Sequence, residues 1–187
     1  MKRLAMIAAA LSLVAVLGCA AKEVLVPKSA VSSGIDLTGN WQLREDSETA
    51  ANRIREAEFA AAGGNEPLVS RKKRVSIPSA SVHVFLETGK TLKVTQTDSG
   101  LFISFDRAVV EEYRFGENRE VSVGPITADR VSGWEGSAYV IETLDDNGAK
   151  LVEAYRLQDE GLTLQRNIRI VDKKLTQLNI EQFFERN

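Results

Sequence analysis

The chain has 187 residues, and its 24 basic and 26 acidic side chains give a net charge of −2. A hydrophobic content of 43% and a charged content of 27% exclude low-complexity and collagen-like classes, and the length predicts one domain with a full core. One Cys and one His exclude a Cys/His metal cage and an internal disulfide framework. Nucleic-acid-binding proteins usually carry an excess of basic residues, and this chain has none, so nucleic acid is not an expected partner.

The first eighteen residues have the pattern of a secretory signal peptide. A basic start is followed by an apolar run, Leu4 to Leu17, of 14 residues. This run is shorter than the roughly 20 residues that a membrane-spanning helix needs. It leads into Val16-Leu17-Gly18-Cys19. This motif resembles the lipobox of bacterial lipoproteins, in which the cysteine is acylated and becomes the first mature residue.

The lipobox resemblance implies a palmitate-type lipid anchor at Cys19 and removal of residues 1–18. Ala20 and Ala21 follow the cysteine in place of the Asp that retains such proteins in the inner membrane. The expected location is therefore the outer membrane of a Gram-negative bacterium, with the protein lipid-anchored and facing the periplasm. The alternative is an ordinary cleaved signal peptide that leaves a free thiol.

The mature chain is predicted to begin with a tether and continue as a single β-rich domain. Residues 19–36 have no periodicity and contain Pro and Gly, which is typical of a linker, and the domain then covers 37–187. After a first strand, Thr38–Leu43, an Ala- and Glu-rich segment predicts a helix over 47–62 that Gly63-Gly64 ends. Residues 63–80 predict a mobile loop with the basic run Arg71-Lys72-Lys73-Arg74.

From Val82 onward, short apolar stretches alternate with turn sequences, which predicts an antiparallel meander that forms a lipocalin-like barrel or a strongly curved sheet. Asn147-Gly148 predicts a type I′ hairpin turn. The predicted strands are Val82–Leu86, Thr91–Thr97, Leu101–Phe105, Val109–Phe115, Glu120–Val123, Ile126–Trp134, Ala138–Leu144, Leu151–Leu157, Leu162–Val171 and Leu175–Phe184.

Alternation along Leu162–Val171 predicts one charged side chain on the buried face, and the two faces of Leu151–Leu157 can also be separated. In Leu162–Val171 the even-numbered residues are apolar apart from Arg166, and in Leu151–Leu157 Glu153 and Tyr155 share the face of Leu151. A buried Arg must be paired or stacked, so Arg166 either closes the fold or contacts an anion.

The sequence Gly39-Asn40-Trp41 resembles the Gly-x-Trp opening of lipocalin-like barrels. The resemblance implies that Trp41 closes the barrel floor and that an Arg from a late strand crosses it, with Arg166 as the candidate. Trp134 is predicted to pack in the core or to line a ligand pocket.

A second resemblance covers Leu92 to Leu164 and is to uncharacterised exported β-rich proteins of Gram-negative bacteria. It rests on Gly133-Trp134-Glu135-Gly136 before an apolar strand and on Glu153-Ala154-Tyr155-Arg156-Leu157 before a Gly161 turn. It implies a barrel-like fold and no established activity.

Catalytic motifs are not evident in this sequence. No Gly-x-Ser-x-Gly nucleophile motif occurs, and adjacent acids such as Glu111-Glu112 point to opposite faces of a strand. His83 is predicted to be a surface residue of a strand. We therefore expect a non-catalytic binding or structural module without cofactor or metal. The alternatives are a lipocalin-like carrier of an apolar small molecule and an envelope assembly partner that binds another protein.

Overall fold

The chain folds into a mainly β barrel. The structure is a computed structural model that describes residues 23–47, 49, 52, 54, 56, 81–172 and 175–187. Its ten strands form one antiparallel sheet that is nearly closed, which confirms the predicted fold class. The strands are β1 Gly39–Leu43, β2 Thr91–Gln96, β3 Gly100–Phe105, β4 Val109–Arg114, β5 Glu117–Val123, β6 Ile126–Glu135, β7 Ala138–Asp145, β8 Ala149–Gln158, β9 Thr163–Asp172 and β10 Leu175–Arg186.

The strand order is β4-β3-β2-β1-β10-β9-β8-β7-β6-β5, so β4 and β5 are the two edges of the sheet. These edges are consecutive in the chain, and Arg119 Nη2 on β5 donates to the Glu112 carbonyl on β4 at 3.4 Å. Side chains of β6, the neighbour of β5, also reach β4. Ser132 Oγ on β6 donates a 2.8 Å hydrogen bond to the Arg114 carbonyl on β4. Arg130 Nη1 on β6 lies 3.4 Å from Glu111 Oε2 on β4. The barrel is therefore closed at this seam by side chains rather than by a backbone ladder.

The two ends of the barrel differ. We call the end with turns 97–99, 115–116, 136–137 and 159–161 the closed end, and the end with turns 106–108, 124–125 and 146–148 the helix end. Thr49, Asn52, Ile54 and Glu56 are helical and follow β1 at the helix end, where Ile54 is fully buried. The helix end encloses a core cluster of Ile54, Val82, Phe85, Leu86, Ala128, Ala149, Leu151, Ile168, Ile170, Leu178 and Ile180.

The closed end encloses a second core cluster, which is richer in aromatic side chains. It is formed by Leu37, Trp41, Leu43, Leu92, Val94, Leu101, Ile103, Phe105, Tyr113, Trp134, Tyr139, Ile141, Tyr155, Leu164 and Phe184. The strands place these side chains inside because every second residue of a strand points to the same face. The barrel interior is thus lined by two apolar clusters, one toward each end.

Residues 23–31 lie along the outside of the barrel, and we call this segment the N-terminal strap. Leu25 is buried with Val131 and Leu144 on the outer side of β6 and β7. Ser29 pairs with Trp134, and its backbone N–H and carbonyl both bond to that residue. The free tether expected over 19–36 is therefore wrong for this stretch, because the strap buries an apolar side chain and adds backbone pairing.

Lys28 ties the middle of the strap to the barrel. Its Nζ lies 2.5 Å from Glu135 Oε1 and 3.1 Å from Glu142 Oε1, and the side chain is only 6% exposed. Burial alone would lower the pKa of Lys28, but the hydrogen bonds to the two carboxylates raise it above its usual value. Lys28 therefore stays charged and holds the strap electrostatically.

The other departures from the sequence prediction are local. Val82–Leu86 is not a strand, because Ser81–Phe85 forms a 3₁₀ helix that turns Val82 and Phe85 into the core. The turn after β7 is not type I′, since Gly148 has a φ of +87° but Asn147 has no positive φ. A type I turn followed by a left-handed Gly is the usual three-residue alternative, and Gly148 N bonds to the Asp145 carbonyl as that turn requires.

Several predictions lie outside the described residues. These are the signal peptide, Cys19, most of the helix over 47–62, and the loop 63–80 with its basic run 71–74. Across the part of the chain that the structure describes, none of the helices has the length and apolar character needed to cross a bilayer.

A test of the strap uses two turn glycines that share a left-handed backbone. Gly116 has a φ of +72°, and a Cβ there would meet the Ala30 Cβ of the strap at 2.7 Å, whereas Gly136 has a φ of +58° and no atom within 4 Å. We expect Gly136→Ala to cost about 1–2 kcal/mol from backbone strain. Gly116→Ala should cost about 1 kcal/mol more, because the strap must also move. Urea unfolding measures both, and equal losses would contradict the packing of the strap.

Candidate functional site

The interior of the barrel contains a buried Arg with its own ion-pair partner. Arg166 on β9 is fully buried, as the even-numbered alternation predicts. Its Nε lies 3.1 Å from Glu153 Oε2, and its Nη2 lies 2.5 Å from the same oxygen. Nη2 also donates to the Glu87 carbonyl at 2.8 Å. The charge of Arg166 is therefore compensated within the fold by Glu153.

Two aromatic rings and two further polar groups complete the surroundings of this pair. The Arg166 guanidinium carbon lies 5.1 Å from the Phe105 ring centroid and 5.5 Å from that of Tyr155. The Tyr155 hydroxyl donates to Glu153 at 3.0 Å, and Arg166 Nη1 donates to Gln182 Oε1 at 3.4 Å. This arrangement satisfies a charge that would otherwise be costly to bury.

A second cation lies on the neighbouring part of the interior wall. Arg130 on β6 is 5% exposed, pairs with Glu111, and donates from Nε to Thr143 Oγ1 at 3.3 Å. Its guanidinium carbon lies 5.4 Å from the Tyr113 ring centroid. We call Arg166, Glu153, Gln182, Arg130 and Glu111 the polar layer, which contains two cations and two anions.

The phenols beside the polar layer are held in their neutral form. Burial raises the pKa of both Tyr113 and Tyr155 well above the usual value, and Glu153 adds to this in each case. The pKa of the Glu87 carboxyl is also raised, first by burial and then by Glu111. The two phenols therefore stay neutral near pH 7, and neither Tyr supplies an ionised base.

One donor of the polar layer is without a partner. Among the described residues, Gln182 Nε2 is buried and has no hydrogen-bond acceptor. A buried unsatisfied amide costs about 1–3 kcal/mol, so such groups usually face a water or a ligand. Sequence alternation alone could have placed Gln182 inside the barrel, since it lies between the interior residues Ile180 and Phe184 on β10.

The structure does not bring Arg166 to Trp41, so that predicted pair is wrong. Arg186, two residues beyond the predicted end of the last strand, lies over the Trp41 ring at 4.3 Å from its centroid. Arg186 also donates to the carbonyls of Thr38 and Gly161, and Trp41 Nε1 donates to the Leu37 carbonyl. The pairing follows from register, because Trp41 faces Arg186 across β1 and β10.

Trp134 and His83 are the remaining residues that the sequence analysis singled out. Trp134 is 3% exposed and packs edge-on against Phe115 and Tyr139, at centroid distances of 5.8 and 5.4 Å. His83 is half-buried in the 3₁₀ helix rather than on the surface of a strand, and burial lowers its pKa. No group of three metal-ligating side chains occurs within the described ranges.

A double-mutant cycle tests the pair at the closed end. We expect Trp41→Leu to cost about 2–4 kcal/mol through the cavity it leaves, and Arg186→Met to cost about 1–2 kcal/mol through its lost contacts. The double variant should cost at least about 0.5 kcal/mol less than the sum, because the residues share one contact. Urea unfolding gives the three values, and additivity would contradict the stacked geometry.

Two hollows bounded by described residues are open to solvent. One, of about 500 Å³, lies beside Asn40, Lys93 and Ser104, and the other, of about 400 Å³, lies at the β4–β5 turn. Most of the residues around each hollow are polar, and neither hollow reaches the interior pair of Arg166 and Glu153. The polar layer is therefore a more specific candidate site than either hollow.

Comparison with known proteins shows the fold and goes no further. No family model and no curated protein matches the chain. A luciferase domain from the dinoflagellate Lingulodinium polyedrum is 13% identical, with a TM-score of 0.52, and the match covers 87% of this chain and 45% of that one.

Two smaller barrels are also similar to this chain. A Schistosoma mansoni fatty acid binding protein in complex with arachidonic acid is 13% identical, with a TM-score of 0.47, over 85% of this chain and 99% of that one. The Caenorhabditis elegans lipid binding protein 8 is 12% identical, with a TM-score of 0.47, over 85% and 100%.

Proposed function

We propose that the protein is an outer-membrane lipoprotein, anchored through Cys19 and facing the periplasm, whose barrel binds an apolar small molecule without converting it. The lipobox resemblance supports the anchor and the location. The observation that carries the binding role is the unpartnered amide of Gln182, which is buried in a polar layer with an apolar cluster on each side. Such a site suits an apolar ligand with one polar group.

The polar layer favours an uncharged acceptor on the ligand. Each cation already has an anion beside it, Arg166 with Glu153 and Arg130 with Glu111. A ligand carboxylate would bring a third anion into the layer and repel Glu153 at low dielectric. An ester carbonyl, alcohol or amide can accept from Gln182 Nε2 at no such electrostatic cost. We therefore propose a neutral lipid-like ligand rather than a fatty acid anion.

The fold neighbours support a binding role but do not decide between binding and catalysis. The fatty acid binding protein and lipid binding protein 8 carry lipid-related names, whereas the luciferase domain is named for an enzyme. Our preference for binding comes from the residues, since the two Arg side chains of the polar layer are each paired with a Glu. Catalysis usually requires a group that is free to exchange a proton or attack.

An envelope assembly partner is the second candidate. β4 is an edge strand, and Val109 and Val110 at its start are 36% and 63% exposed. An unpaired edge of this kind can accept a strand from another chain. Crosslinking from position 110 in intact cells would recover a protein partner under this alternative.

Binding is tested with a pair of fluorescent probes that share one acyl chain, one ending in an alcohol and the other in a carboxylate. We expect the alcohol to bind the lipidated protein in nanodiscs more tightly than the carboxylate. Gln182→Leu should weaken binding of the alcohol about 5-fold to 10-fold, the value of one hydrogen bond. Gln42→Leu, which changes an amide on β1 outside the barrel, is the matched control.

Two results would contradict this proposal. Equal affinity of wild type and Gln182→Leu for the alcohol would remove Gln182 from the site. Binding of neither probe would remove the carrier role altogether and favour the assembly partner.

A further inference from the structure

The N-terminal strap runs from the helix end of the barrel toward the closed end. At its start, Glu23 forms an ion pair with Lys150, the second residue of β8 at the helix end. Further along, Lys28 reaches Glu135 and Ser29 pairs with Trp134, both at the end of β6 that belongs to the closed end. The chain therefore enters the barrel surface at the helix end.

The strap is packed against the barrel, so the position where the chain reaches the barrel surface is fixed. Leu25 is 8% exposed against Val131 and Leu144, and Lys28 is bound by two carboxylates. Gly133, with a φ of +156°, allows the strap to approach, because a Cβ there would lie 2.5 Å from the Ser29 carbonyl oxygen. A side chain at position 133 would displace the strap.

The chain between the lipid and the strap is short. Three residues separate Cys19 from Glu23, so their Cα atoms are at most about 14 Å apart even when fully extended. A ten-residue strand such as β6 spans roughly 33 Å, more than twice that reach. The segment between Cys19 and Glu23 can thus bring the helix end to the membrane. It is too short to reach along the barrel, so the closed end cannot face the bilayer.

Exposed apolar side chains are concentrated at the same end. Of the nine large exposed hydrophobic residues in the described ranges, five lie at or beside it. They are Val24, Val84, Val109, Val110 and Val123, with exposures from 36% to 80%. A single exposed valine on a protein surface costs little. Transfer of several together into a lipid interface is favourable, because the apolar area removed from water adds up.

We propose that the helix end of the barrel rests on the inner leaflet of the outer membrane and that the N-terminal strap sets this orientation. The inference rests on the proposed lipid anchor at Cys19. It places the end of the barrel that holds the Ile54 cluster against the bilayer, so an apolar ligand can pass between lipid and barrel without crossing water. The closed end, with Trp41 and Arg186, then points into the periplasm.

Single-cysteine variants test the orientation directly, because Cys19 is the only cysteine and its sulfur is blocked when acylated. Val123→Cys labels the helix end, Ser137→Cys the closed end, and Arg156→Cys the outer side of β8. Each lipidated variant carries an NBD fluorophore and is bound to vesicles of phosphatidylethanolamine and phosphatidylglycerol that contain a headgroup spin label. We expect quenching at position 123 to be at least about 3-fold stronger than at 137 or 156.

Stronger or equal quenching at position 137 would overturn the proposal, and the same result at 156 would show that the barrel lies on its side. A ten-residue Gly/Ser insertion between residues 21 and 22 should abolish the difference between the three positions. Persistence of the difference after insertion would remove the strap as its cause. Intact mass and labelling of Cys19 test the lipid anchor independently. The probe titration tests ligand binding independently. Failure of the proposed function is therefore distinguishable from failure of the orientation.

Discussion

Replacing Glu153 with glutamine is expected to lower the free energy of unfolding by about 3–5 kcal/mol. The substitution keeps the shape of the side chain but leaves Arg166 buried without an anion, and it weakens the hydrogen bond from Tyr155. Arg166 cannot lose its proton to relieve this, because an Arg guanidinium stays protonated in proteins. Urea unfolding monitored by Trp fluorescence measures the loss.

Glu135→Gln is the matched control for this change. Glu135 also pairs with a buried cation, Lys28, but its own side chain is 53% exposed and Lys28 retains Glu142. We expect a loss of less than about 1 kcal/mol. The double variant Arg166→Met with Glu153→Leu should recover most of the stability lost in Glu153→Gln, because it removes both charges. A cost for Glu153→Gln no larger than that for Glu135→Gln would contradict the compensated pair.

The second large effect concerns Cys19. Changing Cys19 to Ser is expected to abolish acylation and, with it, cleavage by the lipoprotein-specific signal peptidase. The precursor should then retain residues 1–18 at the inner membrane and lack the acyl chains that make a lipid anchor stable. Membrane fractionation and intact mass measure both outcomes.

Ala20→Ser is a suitable control, because it changes a neighbouring residue without removing the acylated thiol. It should leave processing and outer-membrane location unchanged. Normal cleavage of the Cys19→Ser variant with release of soluble protein would mean that residues 1–18 are an ordinary signal peptide.

The fold could be predicted from the sequence because alternation within a strand and the residues of a turn are local features. Alternation in β9 places Arg166 on the interior face, and the structure buries it. Turn residues between apolar stretches locate most strand ends to within one or two positions. The main failure was Val82–Leu86, where four apolar residues in five fit a strand and a 3₁₀ helix equally well.

The candidate site was harder to predict from the sequence, because its contacts depend on the register between strands. Arg166 was correctly placed inside, but its partner could be identified only once β8 and β9 were aligned, which sets Arg166 opposite Tyr155 and beside Glu153. Arg186 was missed because the strand prediction ended at Phe184. The N-terminal strap was missed because it is held by contacts more than a hundred residues apart, such as Lys28 with Glu135.

Native mass spectrometry of the protein released from the envelope tests the central claim most directly. The account predicts a chain that begins at Cys19, carries covalent acyl groups, and retains a neutral small molecule that is ejected on collisional activation. A mature chain without acyl groups, or an acylated chain from which no small molecule is ever released, would contradict a lipid-anchored binding barrel.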